Sequence, residues 1–243
     1  MLILLVAASG TALATGLGAI PVFLLGPGAA ALRPLLLGIA AGAMSVASVV
    51  GLLLPGLDEG SAGSVGAGLV AGALFLLLAR RALDPRHHHV ERARSAGARA
   101  SILVFVVLLV HSLPEGFAIG TAYASDTAGL SLFVIAAIAV QNIPEGTSVA
   151  IPMAAAGYSR SRQFWAAVAT SAPQPLGAAI AYLLVEEVDP LLPVSFGFAA
   201  GAMLALVVVE LLPGALRDDL GKAAIGCVLG AGGMLALSAA LGV

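Results

Sequence analysis

Eight apolar runs, each about the 20 residues that a helix needs to cross a bilayer, follow one another along this chain with short polar joints between them. They occupy residues 2–25, 34–57, 64–83, 101–122, 130–156, 166–185, 193–216 and 223–241. A soluble domain of 243 residues has no interior large enough to hide them. With 60% hydrophobic and only 10% charged residues, the chain also departs from soluble proteins, where about a quarter of residues are charged. Unbroken apolar runs of this length are helices; membrane barrel strands are shorter and alternate. The first run has no basic residue before it and continues past Ala14 to Leu25, so it reads as a spanning helix and not a signal peptide. The expectation is an all-α integral membrane protein, with eight transmembrane helices in a single transmembrane domain over 1–243.

The charges give an orientation. All basic residues fall in alternate connections: Arg33; then Arg80, Arg81, Arg86, Arg92, Arg94 and Arg99; then Arg160 and Arg162; then Arg217 and Lys222. The other connections carry only acids, namely Asp58, Glu59, Asp126, Glu186, Glu187 and Asp189. By the positive-inside rule the basic side is cytoplasmic, which leaves both the N- and C-termini outside. The cytoplasmic joint at 84–99 holds His87, His88 and His89 among arginines. It is either a solvated basic loop or a place that catches metal. Asp58 and Glu59, on the opposite side, either concentrate cations at the outer mouth or simply stay solvated.

Two spacing patterns bear on the helix packing. Gly38 and Gly42, Gly68 and Gly72, Gly197 and Gly201, and Gly226 and Gly230 let helices approach closely, suiting a compact bundle and a homodimer. The lone cysteine, Cys227, can form no internal disulfide. "GIAAGAMSVASVVGLLLPG" (38–56) resembles "GFAAGAMLALVVVELLPG" (197–214) with one gap. These segments enter the bilayer from opposite sides, so the repeat is inverted. Inverted repeats with a binding site near the midplane mark transporters.

Between the repeats lie "VHSLPEGFAIG" (110–120) and "VQNIPEGTSVAIP" (140–152). His111 and Glu115 are four apart and share one helix face, and Gln141 and Glu145 repeat that spacing. Pro114 and Pro144 lack the N–H that would bond the carbonyl four residues back, so each helix is expected to kink beside its glutamate. All four side chains fall near mid-membrane, where an ionised carboxylate costs several kcal/mol unless it is paired or wet. No basic residue lies within those runs to pair with it. A divalent cation would be neutralised by two glutamates. One imidazole, two carboxylates and an amide oxygen suit Zn²⁺, and accept Fe²⁺, Mn²⁺ or Cd²⁺. Mg²⁺ and Ca²⁺ prefer all-oxygen sites.

At these residues the chain resembles a known family. "HSLPEG" and "QNIPEG", together with "SAPQPLGA" (171–178) and the two "GxAAGAM" helices, are similar to the Zrt-, Irt-like (ZIP) divalent metal transporters, most of all their prokaryotic GufA-like branch. The resemblance covers essentially the whole chain. It implies uptake of zinc or related ions into the cytoplasm, with Zn²⁺ as transported substrate and no cofactor. The implied setting is a bacterial or archaeal plasma membrane; the partners are metal ions and lipid, with no nucleic acid. Carried over by position, His111, Glu115, Gln141 and Glu145 form the primary site, and Ser48 is a minor ligand. Members with two adjacent metals have stronger ligands where this chain has Ser112, Asn142 and Gln174, and Gln174 stands in place of a glutamate. Two dications would then share two carboxylates, so one transported ion is expected. Glu210 either lines the cytoplasmic exit or reaches the interface. The alternatives are a member selective for Fe(II), Mn(II) or Cd(II), a broad-range member, and a metal sensor of the same fold that does not transport. An enzyme is not expected: H-E-x-x-H and G-x-S-x-G are both missing.

Overall fold

The computed structural model describes residues 1–82 and 96–243, and for residues 27 and 96–108 the backbone alone. His87, His88 and His89 lie outside the described residues. Within the described residues the chain is helical, with no strand. We label the helices α1 (Leu2–Leu25), α2 (Gly28–Glu59), α3 (Ala62–Ala82), α4 (Ala96–Ala124), α5 (Leu130–Ala155), α6 (Arg160–Glu187), α7 (Asp189–Asp218) and α8 (Leu220–Leu241). Among the described residues, α1, α2, α3, α5, α6, α7 and α8 are each long and apolar enough to cross a membrane.

Each helix covers its apolar run to within two turns. The joint expected at 84–99 is shorter than read, because residues 96–99 already belong to α4. The alanine-rich "AGARA" there favours helix.

The molecule exposes large apolar side chains and buries a set of polar ones within an apolar core. Leu24 and Val228 are 78% and 72% exposed, while Thr11, Thr15, Gln141, Asn142 and Gln174 are buried. Such a surface suits lipid. The inner apolar core, with Met44, Ile119, Phe133, Ile138, Phe196 and Met203, is drawn from α2, α4, α5 and α7.

Close pairing fixes the arrangement. α2 packs along α8, and α7 along α3; α4 lies along α6, and α5 along α1. The paired glycines noted above make the first two contacts. A Cβ on any of those eight glycines would come within 2.3 Å of a backbone carbonyl oxygen of the facing helix. These spacings are taken up inside the chain, so the argument from them to a homodimer falls.

The irregularities also come in pairs. α1 breaks at Gly18–Ala19, between Leu2–Leu17 and Ile20–Leu25. α6 breaks at Ser171–Ala172, between Arg160–Thr170 and Pro173–Glu187. Both α2 and α7 begin in a 3-10 turn, and each widens into a π turn, Val49–Leu53 and Val207–Leu211. Pro55 and Pro213 follow these turns at the same distance. Proline cannot bond the carbonyl four residues back, and a wider turn makes room for its ring.

The tightest contact among these eight paired glycines gives a test. At Gly72 a Cβ would lie 1.9 Å from the Phe198 carbonyl oxygen, whereas Gly232 faces open space. Gly72→Val is expected to cost about 1–3 kcal/mol through overpacking, seen as an earlier thermal transition in detergent. Gly232→Ala is expected to melt with the wild type.

Candidate metal site

The two Pro-Glu-Gly motifs sit in α4 and α5, and both helices continue unbroken through Pro114 and Pro144. The breaks in the chain lie instead in their neighbours, α6 and α1. The glycine of each motif explains the placement. A Cβ on Gly146 would be 1.7 Å from the Thr15 carbonyl oxygen, and one on Gly116 would be 2.0 Å from that of Gln174. Each glycine thus seats a broken neighbour against the turn that carries the glutamate. The sequence reading passed over this role, although both motifs place glycine directly after the acid.

Side chains of α5 bond carbonyls of α1, one at its break and one in the helix before it. Thr147 Oγ1 donates to the Gly18 carbonyl at 2.7 Å, and Asn142 Nδ2 donates to the Thr11 carbonyl, also at 2.7 Å. The Thr15 and Ser171 hydroxyls, one beside each break, are 2.6 Å apart. In a bilayer such groups have no water to turn to, so protein partners are obligatory.

His111, Glu115, Gln141 and Glu145 are all buried, the most open of them only 2% exposed. Gln141 Nε2 donates to Glu115 Oε1 at 3.1 Å, and Gln174 Nε2 donates to Glu115 Oε2 at 2.8 Å. The Glu145 carboxyl lies close enough to that of Glu115 for the two to interact. His111 turns to α7, where Glu210 Oε2 is 3.5 Å from its Nε2. The same oxygen is 3.5 Å from Arg80 Nη2, at the end of α3. The sequence reading had put Arg80 with the connecting loop and left Glu210 between exit path and interface. The structure brings both to the edge of the cluster.

The remaining nominated residues divide. Asn142 and Gln174 join the buried network: Gln174 Nε2 is 3.3 Å from Asn142 Oδ1, Asn142 Nδ2 is 3.3 Å from Gln174 Oε1, and Thr11 Oγ1 donates to Gln174 Oε1 at 2.8 Å. Ser112 and Ser48 are buried, and Ser48 is the last α-helical residue before the π turn of α2. Asp58 and Glu59 lie exposed at the end of α2, where Glu59 accepts a bond from Ser125 at 3.2 Å.

Several buried polar atoms have no hydrogen-bond partner among the described residues: both nitrogens of His111, Gln141 Oε1, Glu145 Oε1, Glu210 Oε2 and the Ser48 hydroxyl. Buried groups of this kind are rare and ask for a reason. They offer one imidazole and several oxygen lone pairs, the donor types of a borderline transition metal. Among the described residues no three His, Cys, Asp or Glu side chains already converge as a cage. In this conformation Glu115 is held by amides, and Gln141 presents its N–H to the carboxylate and leaves its oxygen free.

A family model described as ZIP zinc transporter matches residues 58–238. The chain is 35% identical over 245 residues to the zinc transporter ZIPB of Bordetella bronchiseptica, covering 94% of this chain and 78% of that protein. It is 31% identical over 212 residues to the zinc transporter GufA of Myxococcus xanthus, covering 82% and 83% respectively. A match to a longer Arabidopsis thaliana protein is 38% identical over 213 residues, spanning 85% of this chain but only 33% of the plant protein.

Proposed function

The chain belongs to the ZIP zinc transporter family, and from that premise we propose that it carries zinc and related divalent transition-metal ions into the cytoplasm through His111, Glu115, Gln141 and Glu145. It is a multi-pass integral membrane protein, of a family of transporters and not of enzymes. The observation that carries the site reading is the set of buried lone pairs without partners at His111, Gln141 and Glu145, beside two carboxyls within reach of each other.

The path follows from charge and packing. Eight spans with alternate basic joints support both termini outside and 1–243 as one transmembrane domain, and the family resemblance supports a bacterial or archaeal plasma membrane. The matching breaks of α1 and α6, and the matching π turns of α2 and α7, support an inverted repeat with α4 and α5 at its centre. The pairing of α2 with α8 and of α7 with α3 has the same symmetry. An ion arriving from outside loses water and gains His111 and the two carboxylates, while Gln141 turns its oxygen toward it. When the ion leaves, the carboxyl pair takes up a proton in its place, since two close carboxylates do not both stay charged in a dry site.

One ion is carried at a time. Gln174, Asn142 and Thr11 satisfy one another and Glu115 without any cation, so the place beside Glu115 is filled by a neutral amide donor. Purified protein is therefore expected to bind one Zn²⁺ per chain, counted by calorimetry. Gln174→Glu is expected to raise the ratio toward two. A ratio near two in the wild type contradicts the single-ion reading.

Transport itself is tested by zinc influx into proteoliposomes, with Fe²⁺, Mn²⁺ and Cd²⁺ as competitors to rank the substrates. Saturable influx is expected for the wild type, with Glu145→Gln reducing it at least about a hundredfold, as loss of one charged partner in a dry site does. Zinc bound without influx would make the chain a sensor of the same fold.

A further inference from the structure

Glu210 has an unusual position between two positive or potentially positive groups. Its Oε2 lies 3.5 Å from His111 Nε2 on one side and 3.5 Å from Arg80 Nη2 on the other. His111 is fully enclosed, while the Arg80 and Glu210 side chains are 31% and 28% exposed. The three groups thus form a line from the buried cluster to the basic end of α3. Neither Glu210 Oε2 nor His111 Nε2 has a hydrogen-bond partner.

The first separation is informative. Two ligands on one tetrahedral Zn²⁺, at about 2.0–2.2 Å each, lie about 3.4 Å apart. The His111 nitrogen and the Glu210 oxygen are therefore spaced as neighbouring ligands on one ion. An ion leaving His111 toward the basic side would meet this oxygen next. That oxygen already faces a permanent cation, because a guanidinium does not lose its proton in a protein. The contact is longer than a charge-assisted hydrogen bond of about 2.7–2.9 Å, so it holds the carboxylate by charge and leaves it free to be claimed by a stronger cation.

We infer that Arg80 is a resident counter-cation for Glu210: it occupies the carboxylate when no metal is there and competes with the metal for it as the metal leaves, speeding release. Arg80 touches no metal in this scheme. It acts through Glu210 as a positioning residue, and through repulsion of the departing dication. Its charge is what counts, since at 3.5 Å the contact is too long for the bidentate hydrogen bonding that distinguishes arginine from lysine. The inference rests on the zinc site proposed above.

The test measures Zn²⁺ binding by calorimetry and Zn²⁺ release by rapid mixing with a chelator, on full-length protein in detergent. Wild type is compared with Arg80→Gln and Arg80→Lys. Arg80→Gln is expected to bind Zn²⁺ about three- to fivefold more tightly, the upper part of the range for losing one partly exposed charge, and to release it correspondingly more slowly. Arg80→Lys, which keeps the charge, is expected to stay within about twofold of wild type. Equal or weaker binding by Arg80→Gln overturns the inference while leaving the zinc site standing. A lysine variant that shifts as far as the glutamine variant also overturns it, by showing that shape and not charge matters. A wild type that binds no Zn²⁺ overturns the inference together with the site beneath it.

Discussion

A carboxylate surrounded by hydrocarbon must find a counter-charge, a proton or a set of N–H donors, and most of what is distinctive in this molecule surrounds two that face that demand. Glu115 meets it in part with amides, from Gln141 on α5 and Gln174 on α6. Glu145 keeps one oxygen without any partner. Glu210, less enclosed, stands beside Arg80. The same chemical need is answered by amides at one carboxylate and by a guanidinium at another, and is left open at the third.

Bringing these side chains together requires helices that pass closer than side chains allow. Gly146 and Gly116 admit the backbones of α1 and α6 against the very turns that hold the glutamates. Near the points of closest approach those neighbours are themselves broken, and the Gly18 carbonyl at the α1 break is bound by Thr147. The glycine therefore serves the site as much as the glutamate does. A larger residue at either place would push away the helix that supplies Gln174 or the Thr15–Ser171 contact. Broken helices beside a buried polar cluster are also where a bundle can change shape at low cost, since the backbone bonds there are already made by side chains.

Much of this was legible in the sequence, because the bilayer imposes simple rules. Length and apolarity located the helices, and the four-residue spacing with a preceding proline picked out His111, Glu115, Gln141 and Glu145 as one buried set. The glycine pairs gave the tight packing but not the partner: all four pairs turned out to face other helices of the same chain. What could not be read came from contacts between distant segments. Nothing local in "LLLARRAL" says that Arg80 reaches Glu210, some 130 residues away in the chain. The breaks in α1 and α6 do have local breakers, Gly18 and Pro21 in one and Pro173 in the other, but the apolar runs continue across them and read as single spans. The prolines of α4 and α5 drew attention to those helices, whereas the visible interruptions fell next door.

The central claim is that the charge of the buried carboxylates is met by a metal ion held on the single intramembrane histidine. X-ray absorption at the zinc edge, on protein loaded with one equivalent of Zn²⁺, tests it most directly. The account expects a four-coordinate nitrogen and oxygen shell at about 2.0–2.2 Å, with the outer scattering of one imidazole, that of His111. Scattering from two or three imidazoles would place the ion on His87, His88 and His89 and contradict the account, as would a sulfur ligand from Cys227 or a methionine.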